Sequence, residues 1–479
     1  MNRVAIIGGG ISGLAAAHRL AERSAEEGVP LDLVLLEASS RLGGVICTRW
    51  RDGFLLEGGP DSFISEKPEA VALIKRIGLA DHLIETSTTH RRSFIVRDGR
   101  LRPVPEGFQL LAPSRLWPFI TSKIFSWPGK ARMALDLVLP KRRSPNGVDD
   151  ESLASFVRRR LGREALERMA QPMVGGIYTA DPELLSLRAT MPRFLEMERT
   201  HGSLLRAMWA QRRERPAESR GTSGARYSMF LSLDGGLQMM VDRLGERLPA
   251  GSIRLNAPVE ALAFDKEKGV WVLSIGAGEA LRADAVCVAL PSYGAARLLR
   301  ATDATLAAEL DAIPYASTAT INLAYRREDV PHPLDGFGFV VPAIERRAML
   351  ACTFSSVKFP GRAPADHALL RAFMGGALQP DMFALDEEAM LEAVRLDLRA
   401  LLGIEKPPVF FVVDKWPRSM AQYHVGHLDR IARIRQRLKS TPALQLAGNA
   451  YTGAGIPDCI RSGETAADQI FDLLTSARR

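Results

Sequence analysis

The sequence predicts a mixed α/β fold. A parallel βαβ unit opens the chain, and two long insertions, one helical and one rich in β-strand, interrupt the domain built on it. Three observations carry that reading. Residues 3–44 alternate strand, glycine turn, helix and strand. Two distant apolar runs, within 252–290 and at 444–447, read as further strands of the same sheet. The stretches between differ in pattern, helical over about 89–215 and strand-like over about 299–415.

Taken in order, Arg3 to Ile7 is a short buried strand, Ile11 to Arg23 a helix rich in Ala and Leu, and Leu31 to Leu36 the second strand. A strand that opens the chain must take some of its neighbours from elsewhere. Ile253-Arg254-Leu255, Val270 to Ile275, Ala285 to Leu290 and Leu444 to Ala447 are the candidates. The last precedes a helix from about Asp458 to Leu474, apolar at Ile460, Ala466, Ile470 and Leu473. In the helical insertion a hairpin is expected around Arg97-Asp98-Gly99-Arg100. Asp149-Asp150-Glu151 begins a helix with acids at its positive end. Residues 211–226, charged and containing Gly and Ser, read as a mobile linker. The second insertion has strand-like runs at Thr318–Tyr325, Gly338–Val341 and Val409–Val413, with a helix from about Asp386 to Leu402. The expected division is one discontinuous domain (1–88, 227–298 and 416–479), a helical insertion (89–210), the linker, and a second domain (299–415).

Composition narrows the function. At 479 residues, 46% hydrophobic and 25% charged, the chain has room for roughly two to three globular domains. A formal charge of +8 suits anionic lipid, an acidic small molecule or nucleic acid. No DNA- or RNA-binding motif accompanies the basic residues, so no nucleic-acid partner is expected. Cys47, Cys287, Cys352 and Cys459 lie far apart with no Cys-x-x-Cys pair, against a disulfide framework or zinc site and consistent with a reducing cytoplasm. No basic-then-apolar leader precedes the first strand, and no apolar run reaches about 18 residues. A cytoplasmic protein without a transmembrane helix is the expectation. His424-x-x-His427 lacks acidic or cysteine partners and reads as structural, so no metal is expected. There is no Gly-x-Ser-x-Gly, His-Glu-x-x-His or P-loop, and no residue is singled out as a catalytic acid or base.

The chemistry sits at Gly8-x-Gly10-x-x-Gly13, which follows a strand and opens a helix. Gly8 permits the tight turn, Gly10 lets backbone amides approach a pyrophosphate, and Gly13 lets helix and strand pack closely. Glu37, 24 residues after Gly13, ends the second strand where a carboxylate accepts hydrogen bonds from a ribose. Glu37-Ala38-Ser39-Ser40-Arg41-Leu42-Gly43-Gly44 then adds Arg41 near phosphate, and Gly43 and Gly44 to admit backbone close to an extended dinucleotide. Following the fingerprint directly, this pattern resembles the glutathione-reductase-like FAD proteins with the amine oxidase type of domain, and the expected cofactor is FAD.

Further motifs are more specific: Asp52-Gly53-Phe54-Leu55-Leu56-Glu57-Gly58-Gly59-Pro60-Asp61-Ser62-Phe63, Gly175-Gly176-Ile177-Tyr178-Thr179-Ala180-Asp181, His201-Gly202-Ser203-Leu204-Leu205, Gln422-Tyr423-His424-Val425-Gly426-His427, and Gly448-Asn449-Ala450-Tyr451 through Gly455-Ile456-Pro457-Asp458-Cys459-Ile460. With these the chain resembles the protoporphyrinogen/coproporphyrinogen oxidase family over nearly its whole length. The resemblance implies a Rossmann-like FAD domain, a β-sheet substrate domain and a helical insertion. It also implies an oxygen-dependent six-electron oxidation of a porphyrinogen to a porphyrin in heme biosynthesis, by hydride transfer to FAD with release of hydrogen peroxide. Gly59, Pro60, Asp61 and Ser62 match a segment lining the flavin. Val259 matches the residue whose backbone meets adenine, Trp416 a tryptophan beside the isoalloxazine, and Ala454, Gly455 and Ile456 the stretch near the pyrimidine. On the substrate side, Gly176 matches a residue whose carbonyl faces the pyrrole N–H groups, and Phe337, Val340 and Phe373 match apolar walls.

Two departures bear on the substrate. Where protoporphyrinogen members carry an arginine for a propionate, an ungapped match places Ser93, with Arg91 and Arg92 just upstream; Arg92 is the expected carboxylate contact. Asp61 is typical of the Gram-positive bacterial branch, which acts on coproporphyrinogen III, so this tetracarboxylate is expected ahead of protoporphyrinogen IX. The expected partners are the porphyrinogen, molecular oxygen and a ferrochelatase-type enzyme receiving the product; oligomeric state is left open. Residues 104–140 interleave Phe108, Trp117, Phe119, Phe125 and Trp127 with Arg115, Lys123, Lys130 and Arg132, a pattern for peripheral membrane contact or for a helical cap. The rival readings are an amine oxidase or carotenoid desaturase, and a non-catalytic carrier on the same fold.

Overall fold

The structure is a computed structural model and describes residues 1–109, 111–113, 115–142, 150–214 and 230–476. A strand that is apolar on both sides needs cover on both sides. The first strand, β1 (Asn2–Ile7), buries Val4, Ala5 and Ile6 completely at the centre of a five-stranded parallel sheet. The order is Ile253–Arg254, β2 (Leu31–Leu36), β1, Ala285–Val288 and Leu444–Leu446. Three separated pieces of chain therefore meet in one sheet. The helices α1 (Ile11–Glu26) and Ile456–Ser476 cover one side, sharing a core with Leu14, Leu20, Ile460, Ile470 and Phe471.

One expected member of this sheet lies elsewhere. Val270–Ile275 is the middle strand of a separate antiparallel meander with Val259–Asp265 and Glu279–Ala283. Its burial alternates residue by residue, as in a sheet with one open face, whereas Ala285–Val288 is buried throughout.

The second sheet has seven strands in the order Phe410–Ala421, Tyr315–Arg326, His367–Gly375, Ala351–Phe354, Gly338–Val340, Phe94–Arg97 and Arg100–Pro103. The hairpin expected at 97–100 forms its edge, with Asp98 and Gly99 both at positive φ, the turn that matches strand twist. This sheet thus recruits 94–103 from the expected helical insertion and carries its other edge strand through residue 416, the expected domain boundary. One face packs on the helix Glu387–Leu402, whose Asp386 cap accepts the Ala389 N–H at 2.8 Å.

The insertion is helical, but Asp150 and Glu151 do not begin a helix. That helix is Leu153–Arg160, capped by Ser152, while the Asp150 carboxylate takes the Ser186 hydroxyl and the Gly426 N–H at 3.1 Å, tying the insertion to the C-terminal segment. Asp149 lies outside the described residues. Of the expected linker, 211–214 continue the helix Leu204–Glu214, and 215–226 lie outside the described residues. The aromatic residues of 104–140 divide: Phe108, Phe119 and Phe125 are core, whereas Trp117 and Trp127 are exposed. Among the described residues no helix is long and apolar enough to cross a membrane, and no group of three or more His, Cys, Asp or Glu stands where it could hold a metal ion.

His18 in α1 and His427, stacked at 4.2 Å on Tyr423, are buried. Burial first, then nearby arginines (Arg76 for His18, Arg430 for His427), pushes each down to about 4. The unfolded chain protonates these groups near 6.5, so stability is whole above about 6.5 and falls as pH drops toward 4, by about 3 kcal/mol for each. Melting curves between neutral pH and pH 4.5 are expected to show this loss, with His18→Gln and His427→Gln each flattening it. A melting temperature that does not move over that range would contradict the assignment.

Candidate functional site

Ligands of open parallel sheets bind beyond the carboxyl ends of the strands. There Gly8 N–H donates to the Leu36 carbonyl at 2.8 Å, and Gly10 caps α1 with no side chain taking the helix's first amides. A Cβ on Gly10 would meet nothing within 4 Å, whereas one on Gly13 would stand 1.9 Å from the Gly8 oxygen. Helix amides with open space before Gly10 suit a pyrophosphate, and Gly13 brings the helix close enough to offer them. Glu37 accepts from Gly9 N–H (2.7 Å) and Ser39 N–H (2.8 Å), and a carboxylate retains lone pairs beyond these for ribose hydroxyls. Ala38 beside it is exposed. Ala257 N–H donates to the Glu37 carbonyl at 2.9 Å, bringing Val259 to the same end of the sheet.

The second glycine turn lies against the first: Gly43 N–H donates to the Gly9 carbonyl at 2.9 Å, Gly10 and Gly43 form a parallel bridge, and Gly44 follows at positive φ. Arg41, expected near phosphate, is engaged by the carbonyls of Leu42 (3.1 Å), Gly44 (2.6 Å) and Ile46 (2.9 Å). Its guanidinium locks this turn. Past the carboxyl end of the strand Leu444–Leu446, Ala454, Gly455 and Ile456 stand at the N-terminus of the last helix, where Asp458 binds Lys67 at 2.5 Å and also Arg461.

Residues 57–62 run between the two sheets. A Cβ on Gly59 would fall 1.7 Å from the Val45 oxygen, so only glycine lets this segment press onto the second turn. The Gly58 carbonyl accepts from Trp416 Nε1 (2.8 Å) and the Thr320 hydroxyl (2.5 Å), and the Gly59 carbonyl accepts from Arg371. Past Pro60, Lys358 Nζ binds both Asp61 oxygens (3.0 and 2.9 Å) and the Ser62 hydroxyl (3.0 Å). Burial alone would raise the Asp61 carboxyl, but Lys358 and Arg371 outweigh it and hold it well below the usual range. Glu57 goes the other way. It is buried, accepts from Leu237 N–H and Thr48, and burial pushes it up. Glu57, Lys358 and Arg371 are functional candidates that sequence reasoning misses. Only Arg371 leaves a signal, as a lone charge in the apolar run Ala368-Leu369-Leu370-Arg371-Ala372-Phe373-Met374.

Cross-strand register puts two of the three expected substrate walls, Val340 and Phe373, on one face. Asp414, Thr320, Phe373, Ala351, Val340, Ile95 and Arg102 form a single row across all seven strands, and Trp416 and Arg371 point to the same face one pleat to either side. The opposite face (Ile321, Ala372, Cys352, Phe339) is the apolar core under Glu387–Leu402. Gly176, in the helix Gln171–Tyr178, would place a Cβ 3.7 Å from Val340, so helix and sheet approach there across a narrow gap. Phe337, the third expected wall, precedes the strand Gly338–Val340 out of phase with Val340 and is buried, its carbonyl accepting from Phe354 N–H at 3.0 Å. Arg92 is elsewhere: it is ion-paired with Asp335, donates to that residue's carbonyl at 2.6 Å, and lies over Phe94, part of the core on the other face.

The profile of the flavin containing amine oxidoreductases matches residues 11–471. The chain is 35% identical over 475 residues to the coproporphyrinogen III oxidase of Bacillus subtilis, covering 99% of this chain and 98% of that protein. It belongs to this flavoprotein family, in the branch of the porphyrinogen oxidases. The coproporphyrinogen III oxidase of Propionibacterium freudenreichii is 37% identical, over 98% of this chain and 91% of its own length. A crystal structure assigned to a protoporphyrinogen oxidase from an Exiguobacterium species superposes with a TM-score of 0.86 at 33% identity, covering 99% of both chains. Membership makes the protein a flavin oxidoreductase and agrees with the expected fold: a parallel Rossmann-like sheet joined to an antiparallel substrate sheet.

Proposed function

We propose that this protein oxidises a porphyrinogen to the porphyrin in an oxygen-dependent, six-electron reaction, with FAD as the flavin and coproporphyrinogen III preferred over protoporphyrinogen IX. The observation that carries the reading is full-length similarity to coproporphyrinogen III oxidases, at 35% and 37% identity. Bound FAD would supply the redox chemistry, accepting hydride from the substrate and passing electrons to oxygen.

The chain's own residues bind, orient and exclude. The open N-terminus of α1 neutralises the pyrophosphate, and Glu37 holds the ribose. Trp416, Thr320 and Arg371 fix the carbonyls of Gly58 and Gly59, so the 57–62 segment forms a rigid edge to the flavin site. Val340, Ala351 and Phe373 share one face beside Gly176, an apolar surface suited to the face of a macrocycle. The Gly176 carbonyl belongs to the last turn of its helix, where carbonyls lack an i+4 amide, so it is available to pyrrole N–H groups. No acid–base side chain is needed for this role.

Purified holo-protein mixed in air with coproporphyrinogen III or protoporphyrinogen IX is expected to generate porphyrin fluorescence from both, faster from the first. Fluorescence no faster than with heat-inactivated protein would overturn the reading. Faster oxidation of protoporphyrinogen IX would overturn only the substrate order.

A further inference from the structure

We propose that Arg102, on the edge strand of the substrate sheet, docks a carboxylate of the substrate and sets the enzyme's preference for a tetracarboxylate. The inference rests on the porphyrinogen reading and adds the residue that recognises the acid groups. Arg102 pairs in register with Ile95, Ile95 with Val340, and Val340 with Ala351, whose partner is Phe373. Residues in one such row share a face. Arg102 therefore projects from the same side as the apolar walls, two strands beyond Val340, a lateral distance of about 10 Å. A macrocycle lying flat on Val340 and Phe373 carries its carboxylates at the rim, and in the proposed pose one of them faces this edge strand.

Three other cations nearby are matched. Arg92 is held by Asp335 on the far side of the sheet, Arg97 by the carbonyls of Lys123 and Ile124, and Arg168 by Glu345. Arg102 is different: its Nε is buried without a hydrogen-bond partner, and the side chain is only half-buried. A buried donor left unpaired is costly in a folded protein, and a guanidinium offers a planar fork that a carboxylate satisfies with two parallel bonds. An incoming carboxylate arm supplies the missing acceptor.

The test uses the holo-enzyme and its Arg102→Gln and Arg102→Lys variants. Readouts are KM and kcat for coproporphyrinogen III, the Kd of coproporphyrin III, and the Kd of its tetramethyl ester. R102Q is expected to raise KM and the coproporphyrin Kd about tenfold or more, with kcat, FAD content and melting temperature within twofold or a few degrees of wild type. R102K is expected to recover part of the loss, and ester binding not to change. Unchanged KM and Kd in R102Q, or an equal loss for the ester, would overturn the assignment. Should R102Q not accumulate as holo-protein, R102K of wild-type melting temperature must still bind the acid more weakly than wild type, or the proposal fails. A wild-type enzyme that neither oxidises porphyrinogens nor binds coproporphyrin defeats the functional reading itself, a result distinct from R102Q behaving as wild type.

Discussion

Gly13→Ala is expected to yield a protein that no longer retains FAD. The added methyl would stand 1.9 Å from the Gly8 oxygen, where carbon and oxygen need more than 3 Å. Gly8 cannot give way freely, because its N–H is bonded to the end of β2 and β1 is buried between two neighbours. The first turn of α1 must therefore lift off the strand, and with it the amides proposed to bind the pyrophosphate. Overpacking of this kind costs about 1–3 kcal/mol before any cofactor is considered. Displacement of the amides should reduce FAD affinity at least about tenfold, the effect of losing one charge-assisted hydrogen bond. Flavin absorbance per protein after desalting, with FAD titration of the apo-protein, measures it. A G13A protein as yellow and as stable as wild type would show that the close approach of helix and strand is not what holds the dinucleotide.

Asp61→Asn is the second large effect expected. The Asp61 carboxylate is 18% exposed and faces Lys358 at 12% and Arg371 at 3%. Removing its charge leaves the largely buried Lys358 without its carboxylate and weakens the balance around Arg371, and breaking a buried pair costs about 3–5 kcal/mol. Because the folded carboxyl is held well below its ordinary value, the stability it contributes is present above about pH 4 and is lost as pH falls below that. Urea unfolding at neutral pH should therefore separate variant and wild type by about 3 kcal/mol or more, and the gap should close in acid. Removing the cation as well, in Asp61→Asn/Lys358→Met, should recover part of the loss. A pH-independent gap, or none, would mean that the charge of Asp61 is not what stabilises the 57–62 segment.

What could be read from the sequence follows from how local its causes are. The elements β1, α1 and β2 were legible because strand, turn and helix signals sit within 44 residues, and the glycine spacing encodes contacts along one stretch of chain. The returns at 285–288 and 444–446 were legible as short apolar runs, the first buried throughout and the second a half-buried edge strand. Val270–Ile275 was misplaced because a short apolar run does not announce whether one face or both is covered. The charged group around Asp61 was not legible: Lys358, at the end of a short helix, and Arg371, in a strand, lie about 300 residues away, and only the tertiary fold brings them together. Arg92 illustrates the same limit. Proximity in sequence to Ser93 placed it near the substrate, but alternation along the chain and Asp335 put its guanidinium on the other side of the sheet.

The most direct test of the account is anaerobic mixing of the holo-protein with coproporphyrinogen III, following flavin and porphyrin absorbance together. The flavin is expected to bleach on mixing, with three flavins reduced for each porphyrin formed, and the yellow form to recover with hydrogen peroxide on admitting air. A flavin that stays oxidised in the presence of saturating porphyrinogen would contradict it.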